Sequence, residues 1–182
     1  SSSAAHASRG TLFRSPISLS PDSCGEARRR QSGQCCQFSP PHEFYAVRGD
    51  ATLRHAVRVV PSQGWHGPER HLKERWRWSS GDAELKLHNE TGQPVRLAVR
   101  GKASAVTTAR QLRVLEGEKL LWGDTVVSDP KTLRFGLVLP PGETVLRFVN
   151  DRPGEKVGTD PRALAIRVAN LEIVVSPPGA SR

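Results

Sequence analysis

The chain has 182 residues, enough for one domain with a sizeable core, and carries a formal charge of +9 with a pI near 10.3. That charge is spread out, with eight Lys and Arg against four Asp and Glu over residues 1–62 and nineteen against fourteen over residues 63–182. The longest basic run is Arg28-Arg29-Arg30, shorter than the clusters that mark a polyanion-binding patch, so the sequence argues against specific nucleic-acid binding.

No stretch approaches the 18 or so apolar residues of a membrane span, and the first residues lack the apolar run of a secretory signal. The chain begins at Ser1 and contains no methionine, which points to a processed product or a piece of a longer polypeptide. Its three cysteines, Cys24, Cys35 and Cys36, have no C-x-x-C spacing and leave the compartment open.

In chain order, residues 1–42 are rich in Ser, Pro, Gly, Gln and Arg with scattered apolar positions. Such a composition buries too little surface to offset its ordering entropy and predicts disorder. Residues 43–60, EFYAVRGDATLRHAVRVV, admit either a strand or a short helix and contain the adhesion-type tripeptide Arg48-Gly49-Asp50, which arises often by chance. The predicted organisation is therefore a disordered or weakly structured tail over 1–60, a domain over 61–176 and a disordered C-terminus over 177–182.

From residue 75 onward the period is two. Arg75–Ser79 alternates Arg with Trp, Ala83–His88 aligns Ala83, Leu85 and Leu87, and Val95–Arg100 aligns Val95, Leu97 and Val99. The HNETGQP stretch at 88–94 supplies the connection between the last two. Gln111–Leu115 and Lys119–Val127 read as a hairpin across Gly117. Thr132–Leu139 faces Thr144–Val149 across Pro140-Pro141-Gly142, and a longer loop, Asn150–Arg162, precedes a last pair of strands, Leu164–Val168 and Leu171–Val175. Short strands at this spacing, with longer crossings at Gly101–Ala109 and Asn150–Arg162, predict an all-β fold: an antiparallel β-sandwich, jelly-roll-like, with a disordered N-terminal tail.

The segment GWHGPERHLKERWRWSSG at 64–81 holds Trp65, Trp76 and Trp78 among arginines and acids. Two roles fit it. In one, Trp76 and Trp78 plug the end of the sandwich while Arg75 and Arg77 on the opposite face pair with Glu69, Glu74 or Asp82. In the other, Trp65 stacks on the apolar face of a sugar ring beside His66 while Glu69 and Arg70 bond its hydroxyls. The candidate ligand-binding residues are therefore Trp65, His66, Glu69, Arg70, Trp76 and Trp78. Trp122 reads as core, and Asp160 with Arg162 as an ion pair holding the late loop.

No catalytic constellation accompanies them. His66 and His71 are five apart in a Gly/Pro-containing loop, so no metal is expected, and no nucleotide-binding or nucleophile motif occurs, so no cofactor and no enzymatic activity are expected.

The stretches GWHGPER and RWRWSSGDAELKLHN within 64–89, LPPGETVLRFVNDRP at 139–153 and GTDPRALAIRVANLEI at 158–173 resemble a bacterial β-sandwich module found at the C-terminal end of polytopic membrane proteins of the glycosyltransferase or mannosyltransferase type. The resemblance spans 64–175. It implies a non-catalytic accessory domain on the extracytoplasmic side, tied to envelope glycan assembly, with a glycan or a membrane-embedded protein as partner. The alternative is a structural or protein-interaction module with no ligand of its own. The membrane-embedded catalytic part has no counterpart in these residues, so transferase activity does not carry over.

Overall fold

The computed structural model describes residues 43–179. The expected disorder over 1–42 lies outside them, as do residues 180–182. The described chain is an antiparallel β-sandwich of jelly-roll type. One sheet runs β3 (Glu69–His71), β4 (Glu74–Trp78), β13 (Ile166–Ser176), β6 (Val95–Ala105) and β9 (Lys131–Leu139), with β1 (Tyr45–Gly49) added alongside β13. The other runs β2 (Val57–Pro61), β5 (Ala83–Asn89), β10 (Gly142–Asn150), β7 (Arg110–Glu116) and β8 (Lys119–Val126). A two-stranded ladder, β11 (Glu155–Lys156) with β12 (Ala163–Leu164), sits in the late loop.

Alternation builds the core. Along β5, β6 and β9 every second side chain is buried, which sends Leu85, Leu87, Val95, Leu97, Leu133 and Leu137 between the sheets to meet Leu146, Phe148, Ile166 and Ile173. The hairpin of β7 and β8 closes as the sequence predicts, with Gly117 at φ +59°.

Three sequence expectations change. Thr132–Leu139 and Thr144–Val149 do not pair with each other. Pro140-Pro141-Gly142 carries the chain across the sandwich, so β9 pairs β6 while β10 pairs β5 and β7. The 88–94 connection crosses in the same way, pinned by buried Asn89, whose amide donates to Gln93 O at 2.8 Å and Leu139 O at 3.0 Å. The last two apolar stretches are one long strand, β13, whose register shifts at a bulge between Ala169 and Glu172, where Asn170 takes φ +47°.

The third change is the boundary near residue 60. Residues 45–61 belong to the sandwich. The parallel pairing of β1 with Leu171–Val175 and the antiparallel pairing of β2 with β5 put Phe44, Tyr45, Val47, Val57 and Val59 into the core, and Tyr45 Oη donates to Val59 O at 2.8 Å. Between them a single helical turn, α1 (Ala51–His55), starts at Asp50, whose carboxylate accepts from Thr52 N and Leu53 N. The Arg48-Gly49-Asp50 tripeptide is thereby used structurally. Gly49 has φ +105° and passes so close to β13 that a Cβ would stand 2.1 Å from Val175 O, while Arg48 pairs with Glu172 at 3.0 Å.

Candidate functional site

The 64–81 segment begins with a glycine that only glycine can supply. Gly64 has φ +81°, and a Cβ there would lie 2.0 Å from Asp82 O. This tight approach turns Trp65 inward, where its ring meets Phe44 at 5.4 Å and Phe148 edge-on at 5.3 Å and its Nε1 donates to Glu84 O at 2.8 Å. The Trp65 ring is thus taken up by packing. His66 is also committed: its backbone N donates to Trp78 O, its carbonyl accepts from Arg77 Nη1 at 2.9 Å, and its Nε2 lies 2.8 Å from Ala163 O, a partner that can only accept and so fixes Nε2 as the protonated nitrogen.

The alternation in β4 runs opposite to the packing expectation. Residues directly opposite on neighbouring strands share a face. Arg77 lies opposite Val168, a core residue, whereas Trp76 lies opposite Ala169 and Trp78 opposite Arg167. Arg77 therefore occupies the inner face at the sheet's end. Its guanidinium holds Glu43 through Nη2 at 2.8 Å and Nε at 3.2 Å and lies 5.9 Å from the Phe44 ring centre. Trp76 and Trp78 stand on the outer face, about 6.8 Å apart along the strand.

Around them is a charged frame. Arg167 lies over the Trp76 ring at 4.3 Å from its centre and is fixed by Glu74 Oε2 at 2.6 Å. Glu69, opposite Trp76 on β3, accepts from Arg162 Nη1 at 2.6 Å, and Arg162 Nη2 also holds Asp160 at 2.8 Å. The hydrogen bonds from Arg162 hold the Asp160 carboxyl down to about 2, and the same contacts, with Glu69, raise Arg162. Side-chain partners for Arg70 and Trp78 are absent among the described residues.

The six sequence candidates thus separate. Glu69, Trp76 and Trp78 come together on the outer face, Arg70 is exposed on the opposite face of β3, and Trp65 and His66 brace the inside of the fold. Sequence reasoning missed Arg167, since pairing of β4 with β13 bridges about ninety residues and leaves no local trace. Among the described residues no three His, Cys, Asp or Glu side chains are grouped to hold a metal ion, and no helix is long and apolar enough to cross a membrane. Trp122 packs against the core from its edge.

No family model matches this chain, and no curated protein matches it significantly. Solved structures with a similar fold include a family 29 carbohydrate-binding module (10% identity, 68% of this chain and 85% of that one, TM-score 0.36). A family 6 module from Clostridium stercorarium in complex with cellobiose (12%, 67% and 95%, 0.31) and a CBM35 from Paenibacillus barcinonensis (12%, 69% and 94%, 0.32) are further examples. Similarity at that level transfers no residue and no ligand, so the reading of this site rests on its own geometry.

Proposed function

We propose that the domain is a non-catalytic binding module for saccharides, and that it binds them on the outer face of the six-stranded sheet through Trp78, beside Trp76 and the charged groups that frame it. The observation that carries this reading is the register that turns both indoles outward while Arg77 takes the inner face. A sugar ring offers an apolar C–H face flanked by hydroxyls, and an indole beside fixed donors and acceptors matches it. Trp78 supplies the ring, because Arg167 already lies on Trp76. Arg167 and Arg162 supply donors, and Glu69 and Glu74 supply acceptors held in place by those arginines. Glu69, Glu74, Trp76, Trp78 and Arg167 are mounted on strands, which keeps their geometry fixed.

Lack of catalysis is supported by how the carboxylates are used. A general acid needs a proton near neutral pH, whereas Asp160 is held down to about 2. The setting we propose, extracytoplasmic and close to envelope glycan assembly, is supported by the sequence resemblance over 64–175.

Titration against a panel of neutral oligosaccharides tests the proposal. Trp78→Ala is expected to weaken binding at least tenfold with an unchanged melting temperature, since the ring is not among the core residues. Saccharide affinity equal in Trp78→Ala and the parent, or no saccharide bound by either, overturns it.

A further inference from the structure

The outer edge of β13 is served by two different strands. β4 pairs with Arg167–Ala169 and β1 with Leu171–Val175, and the bulge at Asn170 separates them. A cleft of about 490 Å³ opens in that gap, lined by Glu43, Arg48, Lys73, Arg75, Asn170 and Glu172 among others, a size within the range of small-ligand sites.

Its two carboxylates are committed. Glu43 holds Arg77 at 2.8 Å, and Glu172 accepts from both Arg48 and Arg100. Asn170 Oδ1 is also used, accepting from Arg75 N at 3.0 Å. What remains is donors: among the described residues neither Lys73 Nζ nor the Arg75 guanidinium has an ion-pair or hydrogen-bond partner. Across the β3–β4 ladder Arg75 stands directly opposite Arg70, an arrangement of like charges that opposes pairing unless an anion offsets it.

We infer that this cleft binds the oxyanion of an acidic saccharide, a carboxylate or sulfate group, with Arg75 as the bidentate fork and Lys73 as the second cation. The choice of a saccharide as carrier rests on the function proposed above, while the oxyanion chemistry rests on the cleft alone. Arg75 stands on the opposite side of β4 from Trp76 and Trp78, with Lys73 in the turn that precedes the strand, so this is a second subsite rather than a restatement of the first.

The test titrates the full chain at low salt with neutral oligosaccharides, oligogalacturonates of equal length and inorganic sulfate. Acidic oligosaccharides are expected to bind at least tenfold more tightly than neutral ones, with the advantage shrinking as salt rises. A Lys73→Gln/Arg75→Gln double variant should lose that advantage while keeping its melting temperature and its affinity for neutral saccharides. Equal affinity for acidic and neutral ligands, or a double variant that binds acidic ligands as the parent does, overturns the inference. Sulfate binding as tightly as the oligogalacturonate overturns the saccharide as carrier. Acidic binding that depends on Arg75 but is untouched by Trp78→Ala, with no neutral saccharide bound, leaves the cleft standing and removes the Trp78 face.

Discussion

Arg77 occupies a place that hydropathy alone assigns to a tryptophan. The inner space at this end of the sandwich is already filled by Phe44 and Trp65, leaving room for a long aliphatic stem whose head reaches polar partners, and arginine meets both needs. Its side chain is 14% exposed and that of Glu43 20%, so the pair is largely removed from solvent. Arg77→Ala strands the Glu43 carboxylate and the His66 carbonyl together. We expect a loss of about 1–3 kcal/mol, seen as a lower denaturant midpoint at constant slope. An unchanged midpoint would show the pair to be as dispensable as an exposed one. At this scale the packing expectation for the segment assigned the faces of β4 the wrong way round. The alternation of Arg and Trp was plain, yet which alternate faces the core depends on Phe44, a residue brought in from a stretch that reads as tail.

At the scale of elements, the β3 edge is fastened to the late loop by Arg162, which bridges Glu69 and Asp160. Because the hydrogen bonds from Arg162 depress Asp160 in the folded chain to about 2 from an ordinary 3.8, this clamp stabilises the fold above the ordinary carboxylate range. The contribution fades as pH falls from about 4 through about 2. Thermal melts across that window should show the parent losing stability more steeply than Arg162→Gln, which has no clamp to lose. Parallel acid limbs would contradict the assignment. The loop's ion pair was readable from the closeness of Asp160 and Arg162 in sequence, but its attachment to Glu69, ninety-three positions away, was not. The strands themselves were legible wherever one face alternates cleanly, as in β5, β6 and β9. β13 was read as two pieces because the bulge at Asn170 inserts an extra residue and breaks the period. The turns at 88–94 and 140–142 were recognised as turns, yet a turn's composition does not say whether it closes a hairpin or crosses between sheets.

For the molecule as a whole, the segment that completes the fold is the one its sequence shows least. β1 and β2 are five residues each, and the strands they pair with, β13 and β5, stand well apart from them in the chain. They extend opposite sheets, β1 beside β13 and β2 as the edge next to β5, and the bond from Tyr45 Oη to Val59 O ties them across the layer. Removing residues 1–61 would uncover β13 and β5, delete Phe44, Tyr45, Val47, Val57 and Val59 from the core, and leave Arg77 without Glu43 and Trp65 without Phe44. Loss of even one large core side chain costs about 2–5 kcal/mol, and a domain has only about 5–15 kcal/mol to lose. A chain starting at residue 62 should therefore show no cooperative melt, whereas one starting at Glu43 should unfold in a single transition. The cleft for which oxyanion binding is proposed takes Glu43 and Arg48 from the same segment. A cooperative melt from the shorter chain would mean that the two sheets close without β1 and β2, and the cleft would then lack one of its walls.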